Sequence, residues 1–124
     1  MSNKKTILIV EDELYLSKVL QKELLSSGYN VVVAKDGEEG LKKASKKGLD
    51  LILLDIAMPK MDGITMLKHL REDKNIKTPV IILTNYGLDE YIKDATGAIV
   101  EDFLIKADHT VDEIVERIKK MLGE

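Results

Sequence analysis

Large apolar residues gather along this chain in five short runs. They are Ile7-Leu8-Ile9-Val10, Val31-Val32-Val33-Ala34, Leu51-Ile52-Leu53-Leu54, Val80-Ile81-Ile82-Leu83-Thr84 and Phe103-Leu104-Ile105. Unbroken aliphatic runs of this length suit strands buried on both faces, as in a parallel sheet. Between them the apolar spacing turns helical. Leu16, Val19, Leu20 and Leu24 line one face of a first helix, with Gly28 as its stop. Asp36-Gly37 turns the chain into a weaker helix over roughly residues 38–47, closed by Gly48, and Gly40 inside it costs about 1 kcal/mol relative to Ala. Asp62 can cap a helix carrying Met66, Leu67 and Leu70. Residues 73–78 are polar and read as a loop, and Pro79 leads into the fourth strand. Leu88, Tyr91, Ile92 and Ala95 form an i, i+3, i+4, i+7 stripe. Thr110-Val111-Asp112-Glu113 has the form of a capping box and opens a last helix with Ile114, Val115, Ile118, Met121 and Leu122 inward. Its Arg117, Lys119 and Lys120 fall toward the end that the helix dipole makes negative. Five strands alternating with five helices predict an α/β fold with a parallel sheet covered on both faces. The pattern leaves the strand order open.

Composition narrows the classes. At 124 residues the chain is expected to form one domain, 1–124, and 44% hydrophobic residues supply its core. Aromatics are 4% and Trp is absent, so that core must be aliphatic. A formal charge of −3 argues against direct nucleic-acid binding, which needs a basic surface. There are no cysteines, which excludes disulfides and thiolate chemistry. No apolar run approaches the ~18 residues that span a bilayer. Met1 to Lys5 is polar and leads straight into a strand, unlike a signal peptide. The expectation is a cytoplasmic domain with no membrane contact.

Chemistry-bearing residues stand where the strands end. Glu11 and Asp12 follow the first strand, Asp55 the third and Lys106 the fifth, while Thr84 closes the fourth. In a parallel sheet these ends share one edge, where open α/β sheets keep their ligand crevices. A strand-end aspartate can also simply cap a loop or the next helix, and a strand-end lysine can simply be solvated. Three converging carboxylates, however, would repel one another and raise their pKa values unless a positive charge intervened. A hard divalent cation answers that need, since Mg2+ takes one or two direct carboxylates plus waters. Lys106 adds a second positive charge and Thr84 a hydroxyl donor. Such a set offers one carboxylate as nucleophile and two cations with a hydroxyl to hold a phosphoryl group.

These marks give the chain its resemblance to the receiver domains of two-component response regulators. They are the acid pair Glu11-Asp12, the run Asp55-x-x-Met58-Pro59-x-x-Asp62-Gly63, and Thr84, Phe103 and Lys106, in order along essentially the whole chain. The resemblance implies a flavodoxin-like, doubly wound (βα)5 fold with strand order 2-1-3-4-5. It implies that Asp55 accepts a phosphoryl group from a sensor histidine kinase or phosphotransfer protein. Asp12 and Asp55 would bind Mg2+ (or Mn2+) directly, with the Ala57 carbonyl as a further ligand and Glu11 acting through water. Thr84 and Lys106 would contact phosphoryl oxygens, and Phe103 would occupy the place of a switch aromatic, although a core aromatic would look the same. Output would be a population shift at a surface of the last two helices and the fifth strand, read by a downstream protein. The chain would then be no enzyme beyond its own aspartyl phosphorylation and dephosphorylation.

Some positions depart from the family pattern. Asn85 stands where Ala or Gly is usual, and Ala107 follows Lys106 where proline is usual. A cis bond before Ala would cost about 2.5–4 kcal/mol, so either that strain is borne or the loop takes another path. Ile99-Val100 stands where Gly-Ala is usual, with Gly97-Ala98 displaced upstream. Ala57, Asn85 and Tyr86 are expected to tune access to the phosphoryl group and its lifetime. His69 is expected to be solvent-exposed and His109 to be a loop residue. A second reading, favoured by Asn85 and Ala107, is a receiver-like docking module that takes no phosphate. A phosphohydrolase would need a second acid where Ala57 stands. A flavin phosphate would be repelled by Glu11-Asp12-Glu13. The end of the chain at Glu124 suits a stand-alone regulator or a piece of a larger one.

Overall fold

A computed structural model describes residues 4–46, 48–58, 60–85 and 101–124. The helical stripe Leu88–Ala95, Pro59, Tyr86, Gly97-Ala98 and Ile99-Val100 lie outside the described residues. Five strands form: β1 (Thr6–Val10), β2 (Asn30–Ala34), β3 (Leu51–Leu54), β4 (Val80–Thr84) and β5 (Asp102–Ile105). All pair in parallel, in the order β2-β1-β3-β4-β5. This is the flavodoxin-like order that the resemblance implied. Its reversal falls between β1 and β3, where such sheets open a crevice at their carboxyl ends.

The period-2 alternation along each strand sorts the core into two layers. Leu8, Val10, Ile52, Leu54, Val80 and Ile82 face one side, and Ile7, Ile9, Leu51, Leu53, Ile81 and Leu83 face the other. On the first side lie α2 (Gly37–Ala44) and α3 (Gly63–Lys68), through Ala44, Met66 and Leu67, with Leu70 from the turn that follows α3. The second is covered by α1 (Leu14–Ser26) and α4 (Val111–Met121), through Leu20, Leu24, Ile114, Val115 and Ile118. Burying these side chains is worth roughly 1.5–3 kcal/mol each, so both faces of the sheet have their own reason to stay covered.

The helices start near the expected positions, with Asp62 and Thr110 as the expected caps and Asp36, read only as part of a turn, capping as well. Asp36 and Asp62 each accept a backbone N–H three residues on. Thr110 and Glu113 close a complete capping box. Gly28 takes a positive φ just past the end of α1, as its stop; Gly48 also takes a positive φ but lies beyond the end of α2. Two details differ from the pattern. The second helix ends at Ala44, short of residue 47, and in α1 it is Ser17 that is fully covered while Leu16 and Val19 are half-buried. The helix after Asp62 loosens into a π turn over His69–Asp73. There His69 is only partly exposed and pairs with Asp73 at 2.5 Å.

Gly40 owes its place in α2 to packing: a Cβ there would stand 2.8 Å from Val10 Cγ1 and 2.9 Å from Met66 Sδ. Gly63 is tighter still. Its N–H donates to Ile56 O at 2.8 Å, and a Cβ would meet Asp55 O at 2.3 Å and Ile56 Cα at 2.9 Å. These are backbone atoms and cannot swing aside. Gly63→Ala is therefore expected to destabilise the fold by about 1–3 kcal/mol, read as a lower urea midpoint. An unchanged midpoint would refute the close approach.

Candidate functional site

The carboxyl ends of the strands fix the backbone on which the acids stand. Glu11 N–H donates to Ala34 O at 3.0 Å, and Asp55 N–H donates to Val10 O at 2.9 Å. These bonds carry the ladder one residue past β1 and β3, so the two acids leave the sheet side by side. Asp12 follows on the exposed rim. Oxygens of Glu11, Asp12 and Asp55 all lie within 4.8 Å of one another, the convergence expected from strand ends alone. Glu11 and Asp55 are almost fully buried.

Lys106 opens a single 3-10 turn, Lys106–Asp108, after β5. No peptide bond among the described residues is cis, so the chain passes Ala107 by this turn rather than by a strained bond. The side chain reaches across the sheet edge. Its Nζ lies 2.8 Å from Glu11 Oε1, 3.4 Å from Glu13 Oε2 and 3.5 Å from Asp55 Oδ2. Glu13 is the contact that strand-end reasoning missed. The signal was there, a third consecutive acid after β1, but only Glu11 and Asp12 were placed at the site.

Thr84 is fully buried at the end of β4, paired in register with Ile105 and so one residue from Lys106 on the neighbouring strand. Asn85 and Ala57 are exposed at bends beyond β4 and β3. Phe103 is half-buried in β5 and packs against the core layer beneath α2 and α3. His109 is a loop residue that closes the 3-10 turn, its N–H donating to Lys106 O.

The electrostatics are unbalanced. Asp55 is pushed up from 3.8 to about 7, first by burial and next by the charge of Glu11. Lys106 opposes the rise, while the closeness of the Glu11 carboxyl and the charge of Asp12 add to it. Burial alone would lower the Lys106 pKa, but its bond to Glu11 and the charges of Asp55 and Glu11 outweigh that, and it is raised. Among the described residues, Asp55 Oδ1 is buried without a hydrogen bond, and the buried Glu11 Oε1 is met by the Lys106 ammonium at 2.8 Å. A buried carboxylate oxygen without a donor costs roughly 1–3 kcal/mol or more, and a divalent cation with oxygen ligands is what would satisfy it. The donor set, all oxygen with carboxylates at one point, fits Mg2+ or Mn2+.

Comparison with known proteins agrees with this geometry. A family model described as the response regulator receiver domain matches residues 7–119. The alkaline phosphatase synthesis transcriptional regulatory protein PhoP of Bacillus subtilis is 41% identical over 95% of this chain, which spans only 48% of that protein. Chemotaxis protein CheY of Treponema pallidum is 38% identical over 94% of this chain and 81% of its own length. Among solved structures, response regulator TrrA of Thermotoga maritima, in complex with Mg2+ and BeF, superposes with a TM-score of 0.79 at 34% identity, covering 94% of this chain and 98% of that one. Similarity over nearly the full length, joined to acids and a lysine meeting at the sheet's switch point, makes this chain a member of the response regulator receiver domain family, the phosphoryl-accepting domains of two-component systems.

Proposed function

We propose that the chain is a phosphorylation-dependent signalling receiver with Asp55 as its phosphoryl acceptor. The observation that carries this is the orphaned Asp55 Oδ1, buried beside two further acids, with the Lys106 ammonium 3.5 Å from its Oδ2. Support also comes from TrrA, whose complex pairs Mg2+ with a beryllium fluoride. Asp12 and Asp55 would hold Mg2+ or Mn2+ directly, with the Ala57 carbonyl as a third ligand and Glu11 acting through water. When bound, that ion neutralises the acids and the oxygens of the incoming group. Asp55 is then the nucleophile: its oxygen forms a bond to phosphorus as the bond from phosphorus to the donor imidazole breaks. Lys106 and Thr84 take the phosphoryl oxygens, and Asn85, Ala57 and Tyr86 border the approach. The domain assigned this role is 1–124.

The donor is a sensor histidine kinase or phosphotransfer protein. The output is a shift of Thr84 and Phe103 that a downstream protein reads on β5, α4 and the segment between β4 and β5. No helix among the described residues is long and apolar enough to cross a membrane, and a cytoplasmic site of action agrees with that kind of donor. Beyond its own aspartyl phosphorylation and dephosphorylation, no turnover is assigned to the chain.

Two outcomes check the reading. Incubation with acetyl phosphate and Mg2+ is expected to add the mass of one phosphoryl group to the wild type and none to Asp55→Asn. Equal labelling of both proteins would sink the assignment. The second test is linkage. Because the folded Asp55 carboxyl titrates near 7 rather than 3.8, the folded state holds its proton more tightly than the unfolded chain. Its stabilising effect is complete below about pH 4 and is lost as pH rises to about 7. In metal-free buffer the wild type should lose on the order of 2–4 kcal/mol over that range. Asp55→Asn should lose far less, and saturating Mg2+ should flatten the wild-type curve by taking the place of the proton. Parallel urea midpoints for the two proteins from pH 4 to 8 would contradict the raised titration.

A further inference from the structure

Glu13 stands at the N-cap of α1, yet its side chain makes no cap hydrogen bond. A glutamate is a poor cap, and residues chosen for that position accept a bond from the first turn. Here the side chain turns away from the helix, and its Oε2 lies 3.4 Å from Lys106 Nζ. Its backbone serves the same corner, since Glu13 N–H donates to Glu11 Oε2 at 3.0 Å. Lys106 is thus shared among three carboxylates. Glu11 holds it closely at 2.8 Å, while Asp55 is as far as 3.5 Å, long for a charge-assisted bond. Glu11 and Asp55 are buried, whereas the Glu13 side chain is 55% exposed. It is the partner that water can replace at least cost.

We propose that Glu13 is a positioning residue that holds the Lys106 ammonium in the resting domain and competes for it with a phosphoryl group on Asp55. This rests on Asp55 being the acceptor. A new anion on Asp55 would share the one positive charge of Lys106 with the Glu13 carboxylate, which repels it and holds the ammonium toward itself. The domain is thereby biased toward the unmodified state by an amount that an exposed ion pair can supply. Glu13→Gln keeps the size and removes the charge, so it should favour the phosphoryl-bearing state. Glu13→Asp keeps the charge but shortens the reach, and should behave like Glu13→Gln.

The test is titration of wild type, Glu13→Gln and Glu13→Asp with beryllofluoride at saturating Mg2+, followed by amide NMR. Both variants are expected to bind about two- to five-fold more tightly than wild type. The gap should narrow as salt rises from about 0.05 to 0.5 M, because a half-exposed pair is screened. Lysine side-chain NMR of the metal-free proteins supplies a second readout, in which Glu13→Gln should shift the Lys106 Nζ signal and hasten its hydrogen exchange. Equal or weaker binding by Glu13→Gln, in a wild type that does bind, overturns the role of Glu13 alone. An unmoved Lys106 signal does the same without any ligand. A wild type that binds no beryllofluoride removes the acceptor assignment and this inference with it.

Discussion

The parallel register between β1 and β3 is the constraint on which the site depends. Val10 lies opposite Leu54, and the next ladder bond, from Asp55 N–H to Val10 O, carries that pairing beyond the strands. Glu11 and Asp55 therefore leave the sheet as neighbours whether or not their charges favour it. A slip of β1 by one residue would exchange Leu8 and Val10 with Ile7 and Ile9 between the two faces and disrupt both core layers. The hydrophobic layers thus hold two carboxylates where electrostatics alone would part them. Apolar burial is the larger free energy, and the acids follow it.

What the fold imposes, Lys106 offsets only in part. One ammonium faces Glu11, Glu13 and Asp55, with Asp12 close by. Desolvation and the charge of Glu11 raise the Asp55 pKa further than Lys106 lowers it. The site is left short of positive charge, a shortage that a divalent cation held by Glu11, Asp12 and Asp55 could make up. In the proposed mechanism the same shortage makes the incoming anion dependent on the cation and on Lys106. A site neutralised within the protein would have no such dependence.

The loop after β3 shows how close packing serves this corner. Gly63 lies against the Asp55 carbonyl, and a Cβ on Gly37 would stand 2.0 Å from Met61 O. Lys60, at φ 68, reaches Asp36 at 3.8 Å. These close approaches hold the backbone of Asp55, Ile56 and Met61 against its neighbours. Ala57, whose carbonyl is proposed as a ligand of the cation, follows Ile56 directly.

Much of this was legible in the order of residues. Aliphatic runs gave the five strands because a strand buried on both faces needs no polar alternation, and Asp62 and Thr110 marked helix starts through short-range capping chemistry. Those signals are local, so they survive without coordinates. Glu11, Asp12, Asp55, Thr84 and Lys106 could be named because a parallel sheet sends every strand end to one edge. Strand order, by contrast, came only through the family resemblance, since nothing local in β1 says that it pairs with both β2 and β3. The tertiary structure alone decided that Lys106 is shared with Glu13, that Gly40 and Gly63 sit at close approaches, and that Ala107 is passed by a 3-10 turn. Each depends on distances between segments far apart in the chain, and no spacing within one segment encodes those.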